Sequence, residues 1–205
     1  MTIQTHKKIL LVLVSCVCFS PAWGHSFNIV FIAPISEPAG QSALEGFLFA
    51  TREQDSHAFE ESDGHLGGLD SFVFRIDSEL KPGPLHSKVE AIIRENEPLF
   101  AAGFIAGTKI ESVLEKNAVT VVDPIAVGLW PSLISSPEKI HTMDGGDFLD
   151  VFRQRHGRPP DLNTIRGYLA ARVIARVVRK SDSRQRSDPG KLAAAVSMEL
   201  QRGTW

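Results

Sequence analysis

Four short apolar runs lie between residues 27 and 122 of this chain of 205 residues, and helix-forming segments separate them. The runs span residues 27–33, 69–76, 99–106 and 118–122. Nearly continuous apolar runs of this length are typical of strands that are buried on both faces, as in a parallel sheet. Because strand and helix alternate with short connections, the sequence predicts βαβ units. We therefore expect an α/β fold, with a doubly wound parallel sheet of about four strands and helices on both of its faces.

Local signals predict where the first three helices begin or end. Capping-box patterns at residues 42–45 and 108–111 predict the starts of the first and third helices, with Ser42 and Thr108 as the N-caps. Pro-Gly-Pro at residues 82–84 predicts a break before the second helix, because proline cannot continue a helix or a central strand.

The alternation stops after Pro124, and the remaining part of the chain has helical patterns only. A helix is predicted over about residues 147–156, where Gly157 ends it as a C-terminal cap. Asp161 is the predicted N-cap of a long helix over residues 162–180.

The last helix is predicted to begin at Asp188-Pro189, since aspartate favours the N-cap position and proline the first helical position. Residues 181–187, which precede it, are polar and are expected to form a loose connection.

The first 24 residues have the pattern of a secretory signal peptide. Two lysines precede the apolar segment of residues 9–17, which is too short to span a bilayer because a transmembrane helix needs about 20 apolar residues. Small residues at positions 22 and 24 predict cleavage after Gly24 and export to the periplasm. The alternative is a lipoprotein anchored at Cys16, because the residues before it resemble a lipobox.

Both cysteines of the chain, Cys16 and Cys18, lie within this predicted signal peptide. Cleavage would therefore leave a protein without disulfides, cysteine zinc sites or cysteine nucleophiles. No later stretch of the sequence is long and apolar enough for a stable membrane span.

The formal net charge of −2 gives no reason to expect a nucleic-acid partner. That value combines +2 from the two lysines of the predicted signal peptide, −12 over residues 25–150 and +8 over residues 151–205. In the basic part, Arg172, Arg176 and Arg179 recur at helical spacing. We interpret this stripe as a solvated helix face that pairs with the acidic part of the chain, and contact with anionic lipid or an acidic partner is the alternative.

A series of short motifs gives the chain a family resemblance. It begins with Ile-Val-Phe-Ile-Ala-Pro-Ile-Ser at residues 29–36 and includes Ala-Gly-Phe-Ile-Ala at residues 102–106. It continues through residues 117–124 and a block over residues 148–172. In their order and spacing these blocks resemble type I periplasmic substrate-binding proteins, the Leu/Ile/Val-binding relatives that serve ABC importers. The resemblance implies an exported binding protein for amino acids or other small polar ligands.

The same resemblance implies a departure from the family's two-lobed architecture. Family members clamp a ligand between two lobes, but here the segment that would build the second lobe is absent between Pro124 and Phe148. We therefore expect a signal peptide over residues 1–24 and a single lobe over residues 25–205. A single lobe would lack the hinge closure that clamps a ligand.

The resemblance places the ligand at the carboxyl ends of the strands. Family members hold an amino acid there with small hydroxyl residues, and at the matching positions of this chain only Thr108 keeps a hydroxyl, which could serve merely as a helix cap. We therefore expect an incomplete site for an amino acid or a small carboxylate. The expected ligand-binding residues are Ser36, Ala106, Gly107, Thr108, Pro124 and Ala126.

Two other functions remain open on the sequence alone. The lobe could be an interaction module that docks on an ABC permease or another periplasmic protein, or that forms a homodimer and so rebuilds a cleft. It could also bind a metal, through His25 at a new N-terminus or through the carboxylates and imidazoles of residues 53–65. The spacing of residues 53–65 matches no EF-hand loop and no HExxH helix, and we favour a solvated, flexible connection as their interpretation. Because the chain has no G-x-S-x-G, P-loop or dinucleotide-binding motif, we expect no enzyme, no catalytic residue and no cofactor.

Overall fold

A computed structural model describes residues 26–53, 61–106, 108–123 and 136–202. Strands and helices alternate up to residue 123, and the described residues after it are helical apart from their connections. In chain order the elements are β1 (Ser26–Ala33), α1 (Pro38–Thr51), β2 (His65–Leu66), β3 (Leu69–Asp77), α2 (Pro82–Asn96), β4 (Phe100–Gly103), α3 (Lys109–Lys116), β5 (Thr120–Val122), a 3₁₀ turn (Pro137–Lys139), α4 (Phe148–His156), α5 (Leu162–Lys180), α6 (Ser183–Arg186) and α7 (Pro189–Arg202).

The described strands form one sheet in the order β2-β3-β1-β4-β5. The central strand β1 is parallel to both of its neighbours, so that Ile29 pairs with Val73 on one side and with Phe100 on the other. β4 is likewise parallel to β5. Helical crossovers connect these parallel strands, and the predicted doubly wound parallel α/β sheet is therefore confirmed.

The sheet has one strand more than the sequence predicted. β2 pairs antiparallel with β3 across a tight turn, where Gly67 and Gly68 have φ angles of 66° and 89°. Both angles lie in the left-handed region, which glycine adopts without the steric cost of a Cβ atom. A strand of two residues carries no periodic pattern, and for that reason the sequence did not reveal it.

Separate apolar cores cover the two faces of the sheet. One core joins α1, α4, α5 and α7 to sheet residues such as Phe31 and Phe100. The other joins α2 and α3 to Ile32 and Ile76. From residue 29 to residue 33, every residue of β1 is at most 2% exposed, as expected for a strand covered on both sides. The prediction of helices on both faces is confirmed.

On the first face, α1 and α5 are in close contact because each has a glycine where they cross. A Cβ atom at Gly46 would lie 1.9 Å from the carbonyl oxygen of Thr164. One at Gly167 would lie 1.8 Å from the carbonyl oxygen of Ala43. Since atoms cannot approach so closely, larger residues at either position would force the two helices apart.

Three local predictions in the helical segments are wrong. α1 begins before the predicted cap Ser42, which lies inside the helix and donates a hydrogen bond of 2.6 Å to Asp161 Oδ2. Pro82 starts α2 rather than preceding it, because the first helical position needs no N–H group. Residues 183–186 form the short helix α6, capped by Asp182, instead of a loose connection.

The predicted caps Gly157 and Asp161 are confirmed. The Asp161 side chain accepts a hydrogen bond from the N–H of Thr164. Asp147, predicted as the first residue of α4, is its N-cap and accepts a hydrogen bond from the N–H of Asp150. Gly157 ends α4 with a φ angle of 69°. Among the described residues, no helix is both long enough and apolar enough to cross a membrane.

Candidate functional site

The parallel strands β1, β3, β4 and β5 all have their carboxyl ends at one edge of the sheet. Open α/β sheets bind ligands at this edge. Among the predicted binding residues, Ser36 follows β1, whereas Ala106 and Thr108 follow β4, and all three are exposed. The other three predicted residues lie outside the described residues: Gly107, Pro124 and Ala126.

Asp77, the last residue of β3, lies beside the loop that follows β1. Its Oδ1 atom accepts a hydrogen bond of 3.0 Å from the N–H of Glu79. This hydrogen bond, together with the nearby polar groups of Ser36 and Ile35, holds the pKa of Asp77 below its ordinary value. The N–H of Ile35 donates to the carbonyl oxygen of Ala33, at 2.7 Å.

Asp123, directly after β5, holds the start of the loop that follows β4 through hydrogen bonds to its backbone. Its Oδ2 atom accepts hydrogen bonds of 2.7 Å from the N–H of Ile105 and 2.5 Å from the N–H of Ala106. Asp123 is only 5% exposed. Adjacent backbone N–H groups of this kind can bind an anionic ligand, but here an internal carboxylate occupies them.

Thr108 is at the N-cap position of α3, as predicted, but its side chain makes no capping hydrogen bond. Instead its hydroxyl donates a hydrogen bond of 2.6 Å to the carbonyl oxygen of Ile105. Thr108, one of the two hydroxyl residues in the predicted binding set, thus directs its proton to the protein itself.

A cavity of about 220 Å³ opens at the same edge, between the loop after β3, the first turn of α2 and the first turn of α3. Its polar lining consists of Ser78, His86, Thr108 and Lys109. Thr108 is the one described member of the predicted binding set that lines it. This volume is smaller than the roughly 300–1,000 Å³ of sites that bind drug-sized ligands, so the cavity suits a small metabolite. The apolar lining consists of Ile32, Leu80, Pro82, Leu85, Phe104 and Ile110.

The sequence contained one overlooked signal for this cavity. Leu80 is 37% exposed and Leu85 is half-buried, although both lie beside the apolar core of α2 and α3. When Pro-Gly-Pro is taken as a helix start instead of a break, Leu85 falls in the first turn of α2 and faces the sheet edge. Because a break was predicted at Pro-Gly-Pro, the position of Leu85 at the sheet edge was not predicted.

A second polar cluster is buried on the opposite face of the sheet, away from the cavity. The Tyr168 hydroxyl donates a hydrogen bond of 2.9 Å to Glu53 Oε1. Arg172 Nη1 donates to the Tyr168 oxygen and to the carbonyl oxygen of His141, at 2.8 Å in each case. Burial raises the pKa of Glu53, although the hydrogen bond from Tyr168 and the charge of Arg172 oppose the rise. The cluster links the end of α1 to α5 and to the segment before α4.

Arg172 belongs to the basic stripe that the sequence predicted. It lies 3.9 Å from the Glu53 carboxylate, so it does pair with the acidic part of the chain. Its side chain is only 11% exposed, however, and the prediction of a solvated face is wrong at this position.

The acidic segment of residues 53–65 serves structural roles where it is described. Asp63 accepts a hydrogen bond from the N–H of Val73 and pairs with Arg75, and His65 pairs with Asp70 at 2.7 Å. In the described part of the chain, no three metal-ligating side chains come together. The remaining members of the predicted metal set lie outside the described residues: His25, Asp55, His57 and Glu60.

Comparison with known proteins supports the fold. No family model matches the chain, and no curated protein matches its sequence. A solved structure of the leucine-binding protein LivK from Thermotoga maritima superposes with a TM-score of 0.56 at 13% identity, over 83% of this chain and 87% of that one. The described residues thus have the type I periplasmic-binding-protein fold and are consistent with a single lobe of it, as predicted. An ABC transporter substrate-binding protein from Sphaerobacter thermophilus aligns over 85% of this chain and 49% of its own, with 19% identity and a TM-score of only 0.29.

Proposed function

We propose that this protein is an exported ligand-binding protein, similar to the substrate-binding proteins of ABC transporters, and that it holds one small molecule at the carboxyl edge of its sheet. The position of the cavity carries the proposal. It lies where parallel α/β sheets bind their ligands, between the starts of two helices. The shared fold with LivK, a leucine-binding protein by name, supports a binding role. Thr108, one of the predicted binding residues, lines the cavity.

The proposal includes the predicted organisation of the chain. Residues 1–24 act as a signal peptide, residues 25–205 form the binding lobe in the periplasm, and an ABC permease is the partner. N-terminal sequencing of the protein recovered from the periplasm should begin at His25. If the protein were instead recovered in the membrane fraction, and a Cys16→Ser substitution abolished that recovery, the result would indicate a lipid anchor.

Thermal melting tests whether the protein binds a small molecule at all. The purified protein is melted with a panel of amino acids, small carboxylates, Cu²⁺ and Ca²⁺. A ligand present at about 100 times its Kd adds about 2.7 kcal/mol to the free energy of unfolding. For a domain of this size that corresponds to a rise of several degrees in the melting temperature. If no compound in the panel raises it, the proposed binding function is wrong.

A pair of substitutions in α2 locates the site. Leu85→Asn places an amide in the cavity wall, and Ile93→Asn makes the same kind of change on the same helix outside the cavity. Both side chains are half-buried. The ligand-induced rise should disappear in the first variant and persist in the second. A rise that survives Leu85→Asn would place the ligand elsewhere.

A second candidate function is docking through the same edge, on a protein partner or on a second copy of the chain. The exposed Ala106 at that edge favours it, because Asp123 holds the backbone of Ala106 in place without any ligand. Sedimentation over a range of concentrations tests self-association. A dimer that Ala106→Arg converts to a monomer would support it, and a monomer at all concentrations would exclude the homodimer.

A further inference from the structure

We infer that the cavity beside α2 and α3 selects a small apolar monocarboxylate and rejects the zwitterionic amino acid with the same carbon skeleton. This inference rests on the proposed function, since it names the ligand class of that site. It departs from the expectation of an amino-acid ligand, which came from the family resemblance alone.

Lys109 brings a positive charge to the cavity lining, and no negative charge offsets it there. His86 is the other ionisable residue of the lining, and no aspartate or glutamate among the described residues lines the cavity. Within the described part of the chain, neither Lys109 nor His86 has an ion pair. Lys109 is exposed at the start of α3, and its ammonium is available to a carboxylate. A ligand ammonium would find no such partner in the cavity lining, and burial of an unpaired charge strongly weakens binding.

The two carboxylates at the carboxyl ends of β3 and β5 do not line the cavity. Asp77 accepts a hydrogen bond from the N–H of Glu79. Asp123 holds two backbone N–H groups with one oxygen, and it is nearly inaccessible at 5% exposure. An amino-acid ammonium could recruit Asp123 only by breaking the hydrogen bonds that hold the loop after β4.

The two helices at the cavity differ in what they offer an anion. Pro82 and Pro84 occupy the first turn of α2, and proline has no N–H group to donate. Lys109 is the first residue of α3, and the positive end of that helix adds to the attraction of its ammonium. The ligand carboxylate is therefore expected on the α3 side, with the apolar part of the ligand against Leu85 and Phe104.

Calorimetric titration of the purified full chain with three matched compounds tests this assignment. The compounds are 4-methylpentanoate, leucine and 3-methylbutylamine, which share one branched skeleton and differ in their charged groups. The wild-type protein should bind 4-methylpentanoate at least tenfold more tightly than leucine, and it should not bind the amine.

A charge reversal then assigns the anion partner. Lys109→Glu should weaken the binding of 4-methylpentanoate at least tenfold, and it should confer measurable binding of 3-methylbutylamine. Glutamate in the first turn of a helix is favourable, so the variant is expected to fold. Lys88→Glu makes the same charge change on an exposed residue of α2 that does not line the cavity. This control should leave both affinities within about twofold, because Lys88 is not part of the cavity lining and solvent screens exposed charges.

The outcomes separate this inference from the proposed function. Leucine binding as tight as that of 4-methylpentanoate would overturn the inference and leave the function intact. The same holds if another class of small molecule binds in the cavity, or if Lys109→Glu and Lys88→Glu have equal effects. A panel in which no small molecule binds would overturn both.

Discussion

Replacing Tyr168 by phenylalanine removes one hydroxyl from the buried cluster of Glu53, Tyr168 and Arg172 and leaves the surrounding packing unchanged. The Tyr168 ring is fully buried and stacks on Phe148 at a centroid distance of 4.1 Å. Phenylalanine keeps that contact. The Tyr168→Phe variant therefore isolates the three hydrogen bonds of the hydroxyl: one to the Glu53 carboxylate, a longer one of 3.3 Å to the carbonyl oxygen of His141, and one from Arg172.

The expected loss follows from the charges on those partners. A hydrogen bond to a charged group contributes about 1.5–3 kcal/mol, and its loss leaves the Glu53 oxygen unsatisfied at a buried position. Arg172 keeps its hydrogen bond to the carbonyl oxygen of His141, which limits the damage. We therefore expect Tyr168→Phe to lower the free energy of unfolding by about 2–3 kcal/mol at pH 7. For a domain of this size the melting temperature should fall by about 5–10 °C.

The loss should depend on pH because Glu53 titrates. Burial raises the pKa of Glu53 above its ordinary value of 4.5, so the folded protein binds the proton more tightly than the unfolded chain. Stability from this group is therefore fully present below pH 4.5 and decreases as the pH rises through the raised pKa. The hydrogen bond from Tyr168 opposes the rise. Without it the pKa moves further upward, and ionisation at pH 7 becomes more costly.

Urea unfolding followed by far-ultraviolet circular dichroism, at pH 7 and at pH 4, tests this reasoning. The difference between the wild type and Tyr168→Phe should be largest at pH 7 and should shrink at pH 4, where Glu53 is protonated. In a Glu53→Gln background the same substitution should cost less and lose its pH dependence. A loss below about 0.5 kcal/mol at pH 7, or an equal loss at both pH values, would refute the argument.

Two further substitutions test the packing and the sheet edge by the same unfolding assay. Gly46→Ala would place a Cβ atom 1.9 Å from a backbone oxygen of α5 and should lower the free energy of unfolding by about 3 kcal/mol or more. In Gly83→Ala the new Cβ atom meets no atom within 4 Å, so this substitution should be neutral or stabilising by about 0.5 kcal/mol. Equal effects of the two would contradict the close contact of α1 and α5. Asp123→Ala leaves the N–H groups of Ile105 and Ala106 without their acceptor and should cost about 2–4 kcal/mol. A loss below about 1 kcal/mol would show that solvent satisfies these groups.

Strand predictions succeeded because burial on both faces leaves a continuous apolar pattern in the sequence. The run at residues 27–33 corresponds to β1 almost residue for residue. Cap predictions succeeded where the partner is local, as with Asp161 and the N–H of Thr164 three residues later. The same kind of pattern misled at Ser42, because the partner of that hydroxyl is Asp161, 119 residues away. A local motif cannot distinguish these two cases.

The candidate site was predictable only as a location. The carboxyl edge follows from the parallel sheet, but the cavity has walls from three segments of the chain that meet only in the fold. Likewise, the contact of Asp77 with the loop after β1 depends on a register that pairs Ala33 with Asp77. The sequence shows neither the register nor the packing of α2 against α3.

The hydrogen bonds at the sheet edge leave few of its polar groups available to a ligand. Thr108 donates to the carbonyl oxygen of Ile105, and Asp123 accepts from the backbone N–H groups after β4. The described residues of the loop after β4 are therefore held in place without a ligand. Recognition in the proposed site would then depend on the apolar lining of the cavity and on the ammonium of Lys109. Because neither feature supplies the hydroxyl groups that a zwitterion requires, we infer a carboxylate as the ligand rather than an amino acid.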